Sequence, residues 1–313
     1  MRILVTGGCG YIGSVLVPIL VAAGHEVVVW DVQWFGNHVS EAPKLLIHNR
    51  DIREHIEMPL GCEVIIHLAA VANDPTGDLD PKLTWEINAL ATEQLASAAI
   101  MSGVKQFIYA SSGSVYGVSD APQVTEDTPL VPLSAYNKTK RVAERILMSY
   151  SHRMTVQILR PATVCGYSPR MRLDTVVNTL TMQALTKGVL TVMGGEQMRP
   201  NVHIEDMCAA YLWMLDYPAL TGIYNVGFEN LSIKQIAERV IERHGGRMVI
   251  TPSDDPRSYR LSADKLLATG FRPTRSVNAA IAEIGMHWHN GTLADTDDYY
   301  NLRWMQRDEL KAA

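Results

Sequence analysis

Between residues 2 and 31 the chain sets a β-rich run, a cluster of glycines, a helical run and a second apolar run ending in an acid. Few folds accommodate that order. Arg2 to Thr6 (RILVT) reads as a strand, and Gly7, Gly8, Gly10 and Gly13 follow it. They fit Gly-x-x-Gly-x-x-Gly from Gly7 or Gly-x-Gly-x-x-Gly from Gly8, and Ser14 to Ala23 then reads as a helix stopping at Gly24. Either register serves the same physics. Glycine permits a tight turn and close backbone approach, while a helix N-terminus offers unpaired N–H groups and a positive dipole end to a pyrophosphate. The next run, Glu26 to Trp30, delivers Asp31. A carboxylate there accepts hydrogen bonds from both ribose hydroxyls and repels a 2′-phosphate, so NAD(H) is expected over NADP(H). Asp51-Ile52, after an expected third strand (Leu45 to His48), suits adenine through a carboxylate and a backbone N–H.

The alternation continues with Val64 to Leu68, a helical stretch over Asn88 to Ser102, Gln106 to Ala110, a helix around Ala135 to Tyr150, and Val156 to Leu159. Strands separated by helices of this length imply right-handed crossovers and a doubly wound parallel α/β sheet. After Arg160, prolines and glycines break the chain into shorter pieces. The expected organisation is a dinucleotide-binding Rossmann domain over 1–165 and a smaller α/β C-terminal substrate lobe, mainly 166–313. Segments near 202–226, a helix from Val202 to Leu215 and a strand from Ile223 to Val226, are expected to return to the large sheet. The aromatic-rich stretch from His287 reads as a helix packed on the chain's own body or on a second subunit.

Composition narrows the functional classes. The 313-residue chain is 47% hydrophobic, ample for a full core. Its longest apolar stretch, Val15 to Ala23, falls far short of the roughly 20 residues of a membrane span. No leader pattern precedes Thr6, so the fold is expected to start at residue 2. Four cysteines (Cys9, Cys62, Cys165, Cys208) lie far apart, without the spacing of a zinc site or redox dithiol, and read as reduced cytosolic thiols. No metal site is expected. A net charge of -5 with no long basic run leaves no footprint for nucleic acid or an anionic membrane, so any phosphate is bound locally.

Tyr136 and Lys140 stand four residues apart, on one face of the expected helix. A phenol of pKa about 10 is a poor base at neutral pH, but an adjacent ammonium and a positive nicotinamide ring stabilise its phenolate. Lys140 can also hold the nicotinamide ribose. Upstream, Ser111-Ser112-Gly113-Ser114 follows the strand QFIYA and places small hydroxyls where such sheets bind ligands.

Together these features resemble the extended short-chain dehydrogenase/reductases, specifically the NAD-dependent nucleotide-sugar epimerase and dehydratase family. The resemblance rests on TGGCGYIGS, Asp31, Asp51-Ile52, HLAA (His67 to Ala70), Asn88, SSGSVYG, Tyr136/Lys140, LRPATVCG and RPNVHIEDM. It implies NAD contacts from Gly7, Gly10, Tyr11, Ile12, Gly13, Asp31, Asp51, Ile52, Leu68, Ala69, Ala70, Asn88, Tyr136, Lys140 and Pro161. It makes Ser112, Tyr136 and Lys140 catalytic, with Tyr136 the acid/base and Ser112 on the sugar hydroxyl. Substrate contacts fall on Ser112, Ser114, Thr163, Asn178, Arg199 and Arg257, the arginines serving a sugar diphosphate. A cytoplasmic homodimer, paired through the helices near 88–102 and 135–150, is also implied.

Departures from the family pattern refine the activity. The 4,6-dehydratases carry Asp-Glu where this chain has Gly113 and Ser114, so dehydration is not expected. Pro161-Ala162-Thr163 replaces the Tyr-Phe-Asn of the 4-epimerase, and SPRMRLDTVVN resembles a bacterial subgroup that includes nucleotide-heptose 4-dehydrogenases. The leading expectation is a nucleotide-diphosphate-sugar epimerase acting at C4 through a 4-keto sugar. The alternatives are a nucleotide-sugar 4-dehydrogenase or ketoreductase and, further off, a non-catalytic NAD-sensing protein.

Overall fold

A computed structural model describes residues 1–119, 121–253 and 258–307. The chain runs β1 (Arg2–Thr6), α1 (Gly13–Ala22), β2 (Glu26–Asp31), β3 (Leu45–Asn49) and β4 (Val64–His67). Two short helices, α2 (Asp74–Leu79) and α3 (Pro81–Trp85), each start on a side-chain cap, from Asn73 and Asp80, with proline in the first turn. A π-helical turn, Glu86–Leu90, leads into α4 (Ala91–Met101). Then come β5 (Gln106–Ala110), α5 (Ala135–Ser149), β6 (Thr155–Pro161), β7 (Thr163–Cys165), α6 (Val176–Lys187), β8 (Val189–Met193) and β9 (Met198–His203). The chain continues with α7 (Ile204–Asp216), β10 (Gly222–Val226), β11 (Glu229–Ser232), α8 (Ile233–His244), β12 (Arg247–Thr251), α9 (Asp264–Ala268), α10 (Val277–His289) and α11 (Asn301–Met305).

Seven parallel strands form the main sheet in the order β10-β6-β5-β4-β1-β2-β3. Period-two alternation decides which side chain meets which layer. Ile3 and Val5 join Leu16, Val17 and Leu20 of α1 and Met207, Tyr211 and Met214 of α7 on one face. Leu4 faces Leu95 and Ala99 of α4 and Ala143 and Leu147 of α5 on the other. Each such aliphatic side chain contributes about 1.5–3 kcal/mol by leaving water. Winding reverses at β1, flanked by β2 and β4, and this switch point opens a crevice at the carboxyl ends of the strands.

His67 ties the two central strands to α4. Thr92 Oγ1 donates to the Asn88 carbonyl at 2.9 Å, so it accepts from His67 Nε2, also at 2.9 Å. Nδ1 is then the acceptor for Thr6 Oγ1 at 2.6 Å, which makes the ring neutral. Burial, with Lys140 nearby, draws its pKa down to about 3.

Two smaller sheets, β11-β9-β7 and β12-β8, pack with α6, α8 and α10 around Leu180, Leu190, Ile236, Val240 and Ile281. Two expectations are corrected. Val202 and His203 belong to β9, and the helix opens at Ile204, because His203 is extended and caps it by accepting from Glu205 N–H at 3.2 Å. The stretch from His287 is not one helix: α10 ends at His289, and Gly291, at φ +71°, turns the chain toward a 3₁₀ turn (Asp297–Tyr299) and α11. Its aromatics pack on the chain's own body, Trp304 against Trp34 and Phe35.

Candidate active site

A cleft of about 760 Å³ runs across the carboxyl ends of the sheet, within the range of small-molecule sites. At one end the turn from β1 to α1 forms its floor. Gly10 N–H closes the turn on the Gly7 carbonyl at 3.1 Å, and the helical ladder begins at Ser14 N–H to Gly10 O, 2.9 Å. The N–H groups of Tyr11, Ile12 and Gly13 therefore precede the ladder at a positive helix end. Gly7 has φ +72°, and a Cβ there would stand 2.5 Å from Ala69 N, so only glycine lets this turn lie against the strand beside it. Asp31 Oδ2 accepts from Cys9 N–H at 2.9 Å and Oδ1 from Gln33 N–H at 2.7 Å, leaving each oxygen a second lone pair. Burial raises its pKa against those bonds and the charge of Arg170. Asp51 is gripped by Arg53, Nη2 to Oδ2 at 2.6 Å, and this grip outweighs burial to hold its carboxyl low.

Midway along the cleft the hydroxyl groups converge. Ser112, extended two residues beyond β5, caps the 3₁₀ turn Gly113–Tyr116, and its Oγ lies 2.7 Å from Ser114 Oγ. Ser134 caps α5 by accepting from Asn137 N–H at 3.1 Å, which fixes Tyr136 in the first turn. Burial pushes the Tyr136 phenol up to about 12, while a hydrogen bond with Ser112 and the charge of Arg172 pull the other way. One turn on, Lys140 Nζ donates to the Ala110 carbonyl at 2.7 Å and sits 5.9 Å from the Tyr136 ring centroid. Burial draws it down to about 7, with Glu144 opposing. The protein alone thus keeps the phenol protonated and the ammonium close to titration.

Residues 3–227 match the model of the NAD dependent epimerase/dehydratase family. The chain belongs to that family. It is an NAD-dependent enzyme of the extended short-chain dehydrogenase/reductase type. The UDP-glucose 4-epimerase of Lactobacillus helveticus is 28% identical over 272 residues, spanning 77% of this chain and 82% of that protein. The crystal structure of Thermus thermophilus UDP-glucose 4-epimerase in complex with NAD aligns with a TM-score of 0.80 at 29% identity, covering 91% of this chain and 99% of that one. The dTDP-glucose 4,6-dehydratase DesIV of Streptomyces venezuelae, with NAD and TYD bound, gives 0.83 at 25% identity over 93% and 98%.

The cleft suits the family's cofactor: the turn exposes N–H groups beside a backbone approach that a side chain would block, and the Asp31 carboxylate retains acceptor capacity. Gly7, Gly10, Tyr11, Ile12, Gly13, Asp31, Asp51, Ile52, Leu68, Ala69, Ala70 and Pro161 all line the cleft, as do Ser112, Ser114, Tyr136, Lys140, Thr163 and Arg199. Two expected contacts stand elsewhere. Asn88 is buried behind the wall, its amide exchanging bonds with the Val71 backbone at 2.9 and 3.0 Å. Asn178 is fully buried, donating to Tyr11 OH at 3.1 Å and Arg172 O at 2.8 Å and accepting from Gly166 N–H at 3.1 Å. Both brace backbone segments that form the cleft. Arg257 lies outside the described residues.

The structure adds cleft residues that the sequence reading did not name: Trp34, Phe35, Arg170, Arg172, Asp174, Tyr259, Asn301 and Leu302. Arg170 and Arg172 lie within the SPRMRLD stretch, where two arginines beside an acid were the available signal. A Cβ on Gly113 would meet the Pro161 carbonyl at 3.1 Å and the Tyr259 hydroxyl at 3.4 Å, so the wall after Ser112 has little room for an acidic side chain.

Proposed function

We propose that this enzyme is a nucleotide-diphosphate-sugar epimerase acting at C4 through a transient 4-keto sugar. The observation that carries the reading is the meeting of Ser112, Tyr136 and Lys140 in one cleft with Gly113 and Ser114 in place of the dehydratase acids. Bound NAD would supply the hydride acceptor, and then the donor, at the sugar carbon. Tyr136 takes the hydroxyl proton and returns it after the keto sugar has presented its other face. Ser112 hydrogen-bonds the reacting oxygen, and Lys140 favours the phenolate by its charge. Gly7 to Gly13 and Asp31 hold the cofactor; Thr163 and Arg199 face the substrate end, Arg199 suiting a diphosphate.

Incubation with UDP-glucose or UDP-galactose is expected to equilibrate the C4 epimers without net change in nicotinamide absorbance. Stoichiometric NADH release would overturn this in favour of a 4-dehydrogenase. The same reading includes a homodimer in which α4, with Leu90 and Met101 exposed at its ends, and α5 pair with those of a second copy. Light scattering reporting a monomer at micromolar concentration would count against it. We propose a cytoplasmic enzyme on the ground of its four cysteines, which lie free and buried; no helix among the described residues is long and apolar enough to cross a membrane. Cell fractionation tests that placement.

A further inference from the structure

Three segments distant in sequence meet at the Asp31 end of the cleft. The loop after β2 supplies Trp34 and Phe35, the segment between β7 and α6 supplies Arg170, and the C-terminal turn supplies Asn301 and Trp304. Phe35 has a partner from each of the other two: the Arg170 guanidinium carbon lies 3.8 Å from its ring centroid and the Trp304 ring 4.7 Å. Trp304 also stacks on Trp34, centroids 6.0 Å apart with 25° between the planes. Polar bonds tie the same segments: Arg170 Nη2 donates to Asn301 Oδ1 at 2.6 Å, and Asn301 N–H donates to Asp174 Oδ2 at 3.2 Å. Asn301 and Leu302 stand in the cleft wall together with Asp31, Trp34 and Phe35. Arg170 is 2% exposed, also lines the cleft, and its buried Nε has no hydrogen-bond partner among the described residues. A buried donor in a cleft wall without an acceptor is a position for a ligand oxygen.

We propose that the C-terminal turn carrying Asn301 and Trp304 is a clasp over the adenosine end of the cleft, retaining NAD as a resident group across turnovers. The inference rests on NAD occupying this cleft with its adenosine ribose at Asp31. It also bears on the reaction outcome. Epimerisation returns the cofactor to its starting redox state in every cycle, so nothing requires the cofactor to leave; a dehydrogenase must exchange it each turn, and a clasp would slow that exchange. The aromatic and cation–π contacts of Phe35 and Trp304 must separate for the roof to open, which raises the barrier to release rather than to chemistry.

The test uses the full chain with the single variants Trp304→Ala, Asn301→Ala and Trp304→Phe. Each protein is loaded with labelled NAD and passed through gel filtration, and release is followed during a chase with excess unlabelled NAD; nucleotide-free melting temperatures are recorded alongside. Release is expected to be about 10–100-fold faster in Trp304→Ala and Asn301→Ala, with Trp304→Phe largely restoring slow release. Both alanine variants are also expected to melt lower, since one strips two ring contacts and the other orphans a buried Arg170 N–H, and release is compared well below the melting temperature of each folded variant. Wild-type release rates in both alanine variants would overturn the clasp alone. A wild-type protein that takes up no NAD would overturn the cleft assignment and the clasp with it. Should Trp304→Ala fail to fold, Asn301→Ala carries the same two outcomes.

Discussion

Glu144 receives the guanidinium of Arg160 in a two-pronged pair, Nε to Oε1 at 2.8 Å and Nη2 to Oε2 at 2.7 Å, one helical turn beyond Lys140. Both side chains are almost fully buried, and Ser111 Oγ adds a bond to Oε1 at 2.5 Å. Removing one partner leaves the other charge buried and uncompensated, which costs about 3–5 kcal/mol. Glu144→Ala is therefore expected to lower stability by that amount, read from the urea midpoint at unchanged slope. It also withdraws the charge that opposes desolvation of Lys140, so Lys140 titrates below about 7 in the variant. Competitive amine labelling of the nucleotide-free protein across pH checks that second effect.

Tyr136→Phe removes the group proposed to transfer the proton while keeping the ring that lines the cleft. Turnover of the nucleotide sugar should fall by about 10²–10⁴-fold, with NAD affinity held within a few-fold. A base must be deprotonated to act, so kcat of the native enzyme rises with pH until the phenol of the loaded complex has titrated. In the protein alone burial, opposed by the Ser112 hydrogen bond and the charge of Arg172, holds the phenol at about 12, and a rising limb that ends well below this value is the expected sign of a further cationic neighbour in the complex. A kcat–pH profile measures it directly.

The sheet was legible because strands buried on both faces leave uninterrupted apolar runs, as in Ile3 to Val5 and Val27 to Trp30. The glycine turn and the Tyr136/Lys140 pair were legible because their chemistry depends on local spacing. Asn88 and Asn178 show where such reading stops. An asparagine in a motif announces a hydrogen bond but not its partner, and here the partners are Val71, Tyr11, Gly166 and Arg172, brought close only by the fold. Likewise, the aromatic C-terminus announces packing, but its seat on Trp34 and Phe35 depends on where the segment between β7 and α6 places Arg170.

Asp31 should set the choice between cofactors. Hydrogen bonds to a charged acceptor contribute about 1.5–3 kcal/mol, so Asp31→Ser is expected to weaken NAD binding by about 10–150-fold and to narrow or reverse the preference over NADP. Isothermal titration with each dinucleotide tests this, and equal losses for both would contradict it. Because burial raises the Asp31 pKa, NAD affinity should decline on acidification earlier than an ordinary aspartate of pKa about 3.9 would dictate.

His67 predicts how the fold responds to acid. Its neutral ring is held between Thr6 and Thr92, and its folded pKa is about 3, against about 6.5 for a histidine in the unfolded chain. Above pH 6.5 neither state binds the proton, and His67 adds no pH dependence. Below it the unfolded chain takes up a proton that the folded protein refuses, so stability falls with pH at about 1.4 kcal/mol per unit until the folded pKa is reached. Between about pH 6.5 and 5 this single group should remove about 2 kcal/mol. His67→Gln can still donate and accept between the two threonines but does not titrate. The expected result is a shallower decline in unfolding free energy than the native protein shows across this interval, whatever its stability at neutral pH. Identical slopes in urea titrations of the two proteins would mean that His67 charges in the folded state and that the tautomer assigned to it is wrong.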